Sequence, residues 1–482
     1  MVKKRIIRLV VSACSVAIGL AGWGQASAQP FMPGKIIERV VCQGDTSQSY
    51  ALYIPPRGNG ASGGRIGGSG SGGLGGDRGG DAAPLPVVYF FDPHGVGALP
   101  LRKYRSLAEA YGFILVGSNN SKNGNDWSVT EAIWGRLFAD TQKRLRIMTS
   151  RIYTCGFSGG AKVASYLAIE HAVIKGVIAN GAALPDGVNA GEFPFSFTAI
   201  AGEGDMNMTE LVAVNDELDR TRTRHRILFF DGKHEWAPEA TMRTAFEGLQ
   251  FDAMRTRLIP RDDKAITAYI VGSKRRLDAD KQAGLLIKAH QECVLSVELL
   301  DGLTGEAGWF GTQAAAIDKD PRYLQQQEGQ ANILAMEEKT KAGYMQQFQQ
   351  GDLSYWTKTI DDLRSKGMEK TAQRAMYQRL LAYLSLAFYS ISNQLINAGQ
   401  NDQARHFVTL YKLADPTNSE AWYFSAVLHA RTGDGHSAGA DLLKAAGYGF
   451  NDETRLRQQP EFQRLSGQIG LSAVESRMRL NK

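Results

Sequence analysis

The 482-residue sequence predicts an α/β fold built on a mainly parallel sheet, followed by an all-helical C-terminal region. Three observations predict it. Between Lys35 and about Gln250, short β-branched or aromatic runs alternate with segments of helical periodicity, the pattern of parallel strands joined by crossover helices. Within that stretch, a strand-like run ends at Cys155, a glycine-flanked serine follows, and a helical pattern begins at once. Beyond Phe251 the strand-like runs stop, and the chain is rich in Gln, Ala, Leu and Lys to its end.

The N-terminus opens with Lys3, Lys4, Arg5 and Arg8, continues as an apolar run from Leu9 to about Trp23, and reaches Ala26-Ser27-Ala28. A basic head, a short apolar stretch and an A-x-A pattern describe a cleavable export signal over residues 1–28. The run is shorter than the roughly 20 residues that a spanning helix needs. This segment also accounts for most of the formal charge of +6, since removing it leaves 51 basic against 49 acidic side chains. A nucleic-acid partner, which would need a clustered basic face, is therefore not indicated. Cys42, Cys155 and Cys293 remain after the signal, without metal-ligand spacing. Their odd number leaves at least one unpaired, and an exported protein could oxidise one pair.

The expected strands are 36–41, 50–54, 86–91, 113–116, 151–155, 173–178, 195–201 and 226–230. Helical patterns fall between most of them, such as 102–111, 129–144 and 161–170. Many of the 53 glycines lie in 57–81, a Gly/Ser segment with too little apolar content to offset its ordering entropy. It joins the second and third expected strands, and reads as a flexible, expanded hairpin turn. In the C-terminal region Asn397-Ala-Gly-Gln400 with Ala404 aligns with Arg431-Thr-Gly-Asp434 with Ala438, 34 residues on. The same offset lays Phe388-Tyr389 over Trp422-Tyr423 and Val408 over Leu442. A 34-residue period, a glycine at the inter-helix turn and Pro416 closing one unit describe a tetratricopeptide repeat. Two units are fewer than the usual three, so a neighbouring helix or the sheet domain must help to bury them.

The chemistry centres on Gly156-Phe157-Ser158-Gly159-Gly160. A G-x-S-x-G turn between a strand and a helix is the nucleophile elbow, whose glycines avoid collisions while the serine takes a strained conformation. Gly60-Ala-Ser62-Gly-Gly64 matches the same pattern with neither strand nor helix around it, so Ser62 is a chance match. A serine hydroxyl needs a base, and the base needs an acid to hold its tautomer. In the order Ser, Asp/Glu, His, Asp205 follows the 195–201 strand and His234 follows the last strand, both at the sheet edge where open α/β sheets place their sites. Glu203 and Asp231 compete for the acid role. His94, His171 and His225 compete for the base, but none follows the last strand. The oxyanion hole is expected from the backbone N–H of Gly159 and from the His94-Gly95 loop after the third strand.

With these residues in place, residues 35–250 resemble the serine-esterase branch of the α/β-hydrolase superfamily that includes polyhydroxybutyrate depolymerases and feruloyl esterases. The matching stretches are Tyr50-Ala-Leu-Tyr-Ile-Pro55, Phe91-Asp-Pro-His-Gly95, Gly156-Phe-Ser-Gly-Gly160, Gly202-Glu-Gly-Asp-Met-Asn207 and Gly232-Lys-His-Glu-Trp236. The whole chain resembles exported bacterial proteins that join such a domain to tetratricopeptide helices. The expected plan is a signal over 1–28, an α/β-hydrolase domain over 29–250, a helical connection over 251–375, repeats over 376–465 and a tail over 466–482. The resemblance implies an exported or periplasmic, cofactor-free carboxylic-ester hydrolase with Ser158, Asp205 and His234 as its triad. The alternatives are a peptidase or amidase with the same triad, and a non-catalytic binding protein. The expected partners are a small or polymeric ester and a protein on the C-terminal helices, with no nucleic acid and no membrane after cleavage.

Overall fold

Eight strands form one sheet: β1 (Ile36–Cys42), β2 (Asp45–Tyr53), β3 (Leu85–Phe91), β4 (Ile114–Ser118), β5 (Ile147–Phe157), β6 (Ile174–Asn180), β7 (Ser196–Gly202) and β8 (His225–Phe230). The computed structural model describes residues 31–56 and 83–480. The export signal and Ser62 thus lie outside the described residues. The spatial order is β1-β2-β4-β3-β5-β6-β7-β8, the α/β-hydrolase arrangement. Strands β3 to β8 run parallel, while β1 and β2 pair antiparallel with each other and β2 with β4.

This order corrects one expectation. The Gly/Ser segment joins β2 to β3, but the two are not a hairpin, because β4 lies between them and pairs with both.

Helices α1 (Ala98–Tyr111), α2 (Trp127–Arg144), α3 (Gly159–Glu170), α4 (Met208–Leu218) and α5 (Glu239–Arg255) complete the sheet domain. The two-residue period of a strand sends alternate side chains to opposite faces. Val88 and Phe90 accordingly pack in one core with Tyr104 of α1 and Phe246 of α5. Tyr89 instead meets Trp134 of α2 edge-on at 5.0 Å, and its hydroxyl bonds Thr141 at 2.7 Å.

The remaining described chain is helical: α6 (Asp263–Gln282), α7 (Leu286–Leu300), α8 (Glu306–Ile317), α9 (Pro321–Gln350), α10 (Leu353–Lys366), α11 (Arg374–Asn397), α12 (Asn401–Ala414), α13 (Ser419–Arg431), α14 (Gly435–Gly447) and the short α15 (Glu453–Gln458), α16 (Pro460–Arg464), α17 (Ser466–Ile469) and α18 (Leu471–Leu480). The boundary expected at 250 falls inside α5. Its Leu249 packs on the sheet, whereas its Phe251 and Met254 belong to a core with α6 to α9. The boundary at 375 likewise falls inside α11.

The 34-residue offset is physical: α12 and α14 start 34 residues apart, after Gly399 and Gly433, which both adopt left-handed backbone at φ 72° and 82°. The equivalent pairs Ala404/Ala438 and Val408/Leu442 are buried in one core. Trp356 and Ile360 of α10, with Ile469 of α17 and Val474 and Met478 of α18, belong to the same core. Neighbouring helices therefore bury the two units. Among the described residues, no helix is long and apolar enough to cross a membrane.

Candidate active site

The site lies where β5, β7 and β8 end. At the tip of β5, Ser158 holds φ 53° and ψ −125°, a positive φ that an L-residue with a side chain rarely adopts. The flanking glycines make this turn sterically feasible. A Cβ on Gly156 would stand 1.9 Å from the carbonyl oxygen of Gly160, and one on Gly160 would stand 2.0 Å from that of Phe91. The Ser158 N–H donates to the Asn180 carbonyl at 2.9 Å, anchoring the elbow to the end of β6.

His234 and Asp205 converge on this serine. His234 Nε2 lies 2.9 Å from Ser158 Oγ, and Nδ1 lies 2.9 and 3.0 Å from the two oxygens of Asp205. An ionised carboxylate only accepts, so Nδ1 carries the proton and Nε2 is left to accept from the serine hydroxyl. Asp205 is wholly buried, whereas the His234 side chain keeps 19% exposure. That places the Asp205 carboxyl away from water and the His234 ring toward it. Asp205 also accepts the Asn207 amide at 2.9 Å, and the Asn207 side chain donates to the Gly181 carbonyl at 2.8 Å.

The competing side chains are engaged elsewhere. Glu203 pairs with Lys288 at 2.9 Å and Asp231 with Arg374. His171 pairs with Glu131 at 2.9 Å, while His225 bonds the Thr223 carbonyl at 2.8 Å and Asp219 at 3.0 Å. His94 stands with its ring largely exposed.

The oxyanion expectation is corrected in part. The His94 amide donates to Asp92 Oδ1 at 2.9 Å, and the Gly95 amide donates to the Asp92 carbonyl at 3.0 Å. Both are consumed inside the turn and are not open donors. The amides of Gly159 and Gly160 begin α3, where the first N–H groups of a helix have no intrahelical partner and the dipole favours negative charge.

Four further residues shape the site without having been singled out in the sequence. Buried Asp92 and Trp236 bond to each other at 3.0 Å. The Phe157 ring lies 4.7 Å from the His234 ring. Asn180 brackets the segment after His234: its Oδ1 accepts the Ala237 amide at 2.7 Å and its Nδ2 donates to the Glu235 carbonyl at 3.3 Å. Asp92, Phe157 and Trp236 stand inside the matched stretches without a role of their own there, and Asn180 lies outside them.

Cys42, Cys155 and Cys293 are all buried and unpaired. Among the described residues, no group of three or more His, Cys, Asp or Glu side chains could hold a metal ion.

No family model matches the sequence, and no curated protein matches it. Solved structures similar to the chain include a substrate-bound fluorophosphonate-binding serine hydrolase F from Staphylococcus aureus, with 11% identity, TM-score 0.36, 45% of this chain and 99% of that one. An esterase of the hyperthermophilic archaeon Pyrobaculum calidifontis matches with 14% identity and TM-score 0.34, over 46% of this chain and 85% of its own. A ferulic acid esterase matches with 14% identity and TM-score 0.33, over 45% and 96%.

Proposed function

We propose that the chain is a serine hydrolase acting on carboxylic esters through an acyl-enzyme. The observation that carries this reading is the linked set of Ser158, His234 and buried Asp205, with the serine at φ 53°. His234 Nε2 takes the hydroxyl proton as Ser158 Oγ bonds to the acyl carbon. The carbonyl oxygen then becomes an oxyanion facing the N-terminal amides of α3, with Gly159 as donor. The intermediate collapses as the C–O bond to the alcohol breaks and His234 returns the proton to the leaving oxygen. A water molecule, deprotonated by the same imidazole, then attacks the acyl-enzyme and releases the acid. Asp205 holds the imidazole in the required tautomer throughout.

Export and a tetratricopeptide-type C-terminal surface belong to the same proposal. The charged head and apolar run of residues 1–28 support the first. The 34-residue spacing of α12 and α14 supports the second.

Labelling with a fluorophosphonate tests the nucleophile. The wild-type chain is expected to label and Ser158→Ala to remain blank. An unlabelled wild type, under conditions that label a control hydrolase, overturns the enzymatic reading in favour of a binding protein. A panel of alkyl esters, aryl esters and peptide amides then tests the bond. Faster turnover of amides than of matched esters would replace the esterase reading with the peptidase one.

A further inference from the structure

We infer that the cavity at the seam between the sheet and the helical region is a second small-molecule site, separate from Ser158. Its ligand would be a neutral, mainly aliphatic molecule carrying one hydroxyl or carbonyl group. The cavity encloses about 400 Å³, within the roughly 300–1,000 Å³ of small-ligand sites, which favour such junctions. None of Ser158, Asp205 and His234 lines it. It lies behind the acid loop, with Glu203 and Met208, on either side of Asp205, in its wall.

The chemistry of the wall selects the ligand. Apolar side chains dominate, contributed by separate elements: Phe229 of β8, Ile287 of α7, Leu334 of α9 and Met376 of α11. Met208 and Met376 add flexible thioethers that adapt to an irregular chain.

The charged groups at the wall already hold one another. Lys288 pairs with Glu203 at 2.9 Å. Buried Arg379 donates to Glu337 from Nε at 2.8 Å and from Nη2 at 2.6 Å, and from Nη1 to the Glu203 carbonyl at 2.6 Å. A ligand carboxylate would have to displace Glu337 from Arg379, and an ammonium would have to displace Lys288 from Glu203. Burying a further unpaired charge is costly, so a neutral ligand is preferred.

Two carboxamides provide the polar contact. Gln291 and Gln330 line the cavity and make no side-chain hydrogen bond among the described residues, so each offers both a donor and an acceptor. Gln326 is committed instead, accepting the Leu286 amide at 3.0 Å and donating to the Gly284 carbonyl at 2.7 Å. Gly329 and Gln330 are exposed, so a ligand can enter without unfolding the seam.

The test uses the full chain and 1-decanol, read by calorimetric titration and by thermal melting. Neither readout requires turnover, so failure of the hydrolase reading leaves the experiment intact. Saturable binding of one molecule per chain is expected, with Tm raised by about 3 °C at a hundredfold excess over Kd. Prior fluorophosphonate labelling of Ser158 should leave the binding unchanged. Decanoate and decylammonium should bind at least tenfold more weakly. Ala375→Phe, which fills the cavity from α11, should weaken decanol binding at least tenfold. Ala372→Trp, at the exposed rim, provides the same block with little risk to folding. Absence of saturable binding, undiminished binding in a folded blocking variant, or equal affinity for decanoate overturns the inference.

Discussion

Asp92 Oδ2 accepts the indole N–H of Trp236 at 3.0 Å, and Oδ1 of the same carboxylate accepts the amides of His94 and Val96 at 2.9 and 3.3 Å. Both side chains are buried. One carboxylate thereby joins the turn after β3 to the segment that carries His234. The Trp236 ring packs 5.6 Å from Phe157, and Phe157 in turn packs against His234. The elbow, the His234 ring and the β3 turn are thus positioned around a single buried side chain.

Asp92→Asn is therefore expected to do more than remove a charge. A carboxamide has one acceptor oxygen, so its NH₂ must face either the two loop amides or the indole N–H, leaving donors opposed. The expected cost is about 1–3 kcal/mol of stability, measured by urea unfolding, with kcat reduced more than KM. Trp236→Phe removes the indole donor and should give a smaller effect in the same direction. Because the two residues share one interaction, the double variant should fall short of the sum. Strict additivity would show that the bond couples nothing.

Backbone strain at Ser158 leads to a second expectation. A residue with a Cβ at φ 53° carries strain of order 1–3 kcal/mol, part of which glycine releases at the cost of a more flexible unfolded chain. Ser158→Gly should thus be more stable than Ser158→Ala by about 1 kcal/mol, although neither should react with a fluorophosphonate. Thermal melting of the two purified variants decides it. Equal stability would mean that the elbow relaxes around alanine.

The residues of the linked set were legible because each follows a run that can only be a strand. Tyr153-Thr-Cys155 leads to Ser158, Phe197-Thr-Ala-Ile200 to Asp205, and Ile227-Leu-Phe-Phe230 to His234. Chain order and strand ends suffice for such a site, since a parallel sheet brings all its C-terminal ends to one edge. What depends on pairing order was not legible. Nothing in Tyr50–Tyr53 or Val87–Phe90 announces that β4 separates them, so adjacency in sequence does not give adjacency in space here. Asp92 looked like an ordinary residue before Pro93, because its partner Trp236 lies 144 positions away. The seam cavity depends on how α7, α9 and α11 dock, which local periodicity does not encode.

The seam itself supports a third expectation. Arg379 and Glu337 are a buried ion pair on α11 and α9, with Lys341 3.0 Å from the other Glu337 oxygen. Arg379→Met leaves the Glu337 carboxylate buried with Lys341 as its remaining cation, so the cost should fall below the roughly 3–5 kcal/mol of a wholly unpaired buried charge. It also frees the Glu203 carbonyl, two residues before Asp205, so a fall in kcat should accompany the lower stability. Replacing both partners, as in Arg379→Met with Glu337→Met, should destabilise less than Arg379→Met alone, since no negative charge is then stranded. Denaturant midpoints of the three proteins test the ordering. A double variant weaker than the single one would contradict it.

The buried cysteines provide a pH dependence whose sign can be worked out. Burial pushes the Cys42 thiol up to about 11, helped by the neighbouring Asp140 and Asp45 carboxylates. Burial likewise pushes Cys293 up to about 11 and Cys155 well above its ordinary value. In the folded chain all three therefore stay neutral at pH 8, and a thiol-specific disulfide reagent is expected to leave them untouched until denaturant is added, when all three should react. In the unfolded chain the same thiols ionise near their ordinary value of 9. Between about pH 9 and 11 the unfolded state therefore binds fewer protons than the folded one, and stability must fall as pH rises through that window. Replacing Cys42 and Cys293 by alanine should flatten this part of the stability profile, whatever it does to stability at pH 7. An unchanged slope would mean that these thiols ionise alike in both states, and rapid native labelling at pH 8 would mean that their burial is not maintained in solution.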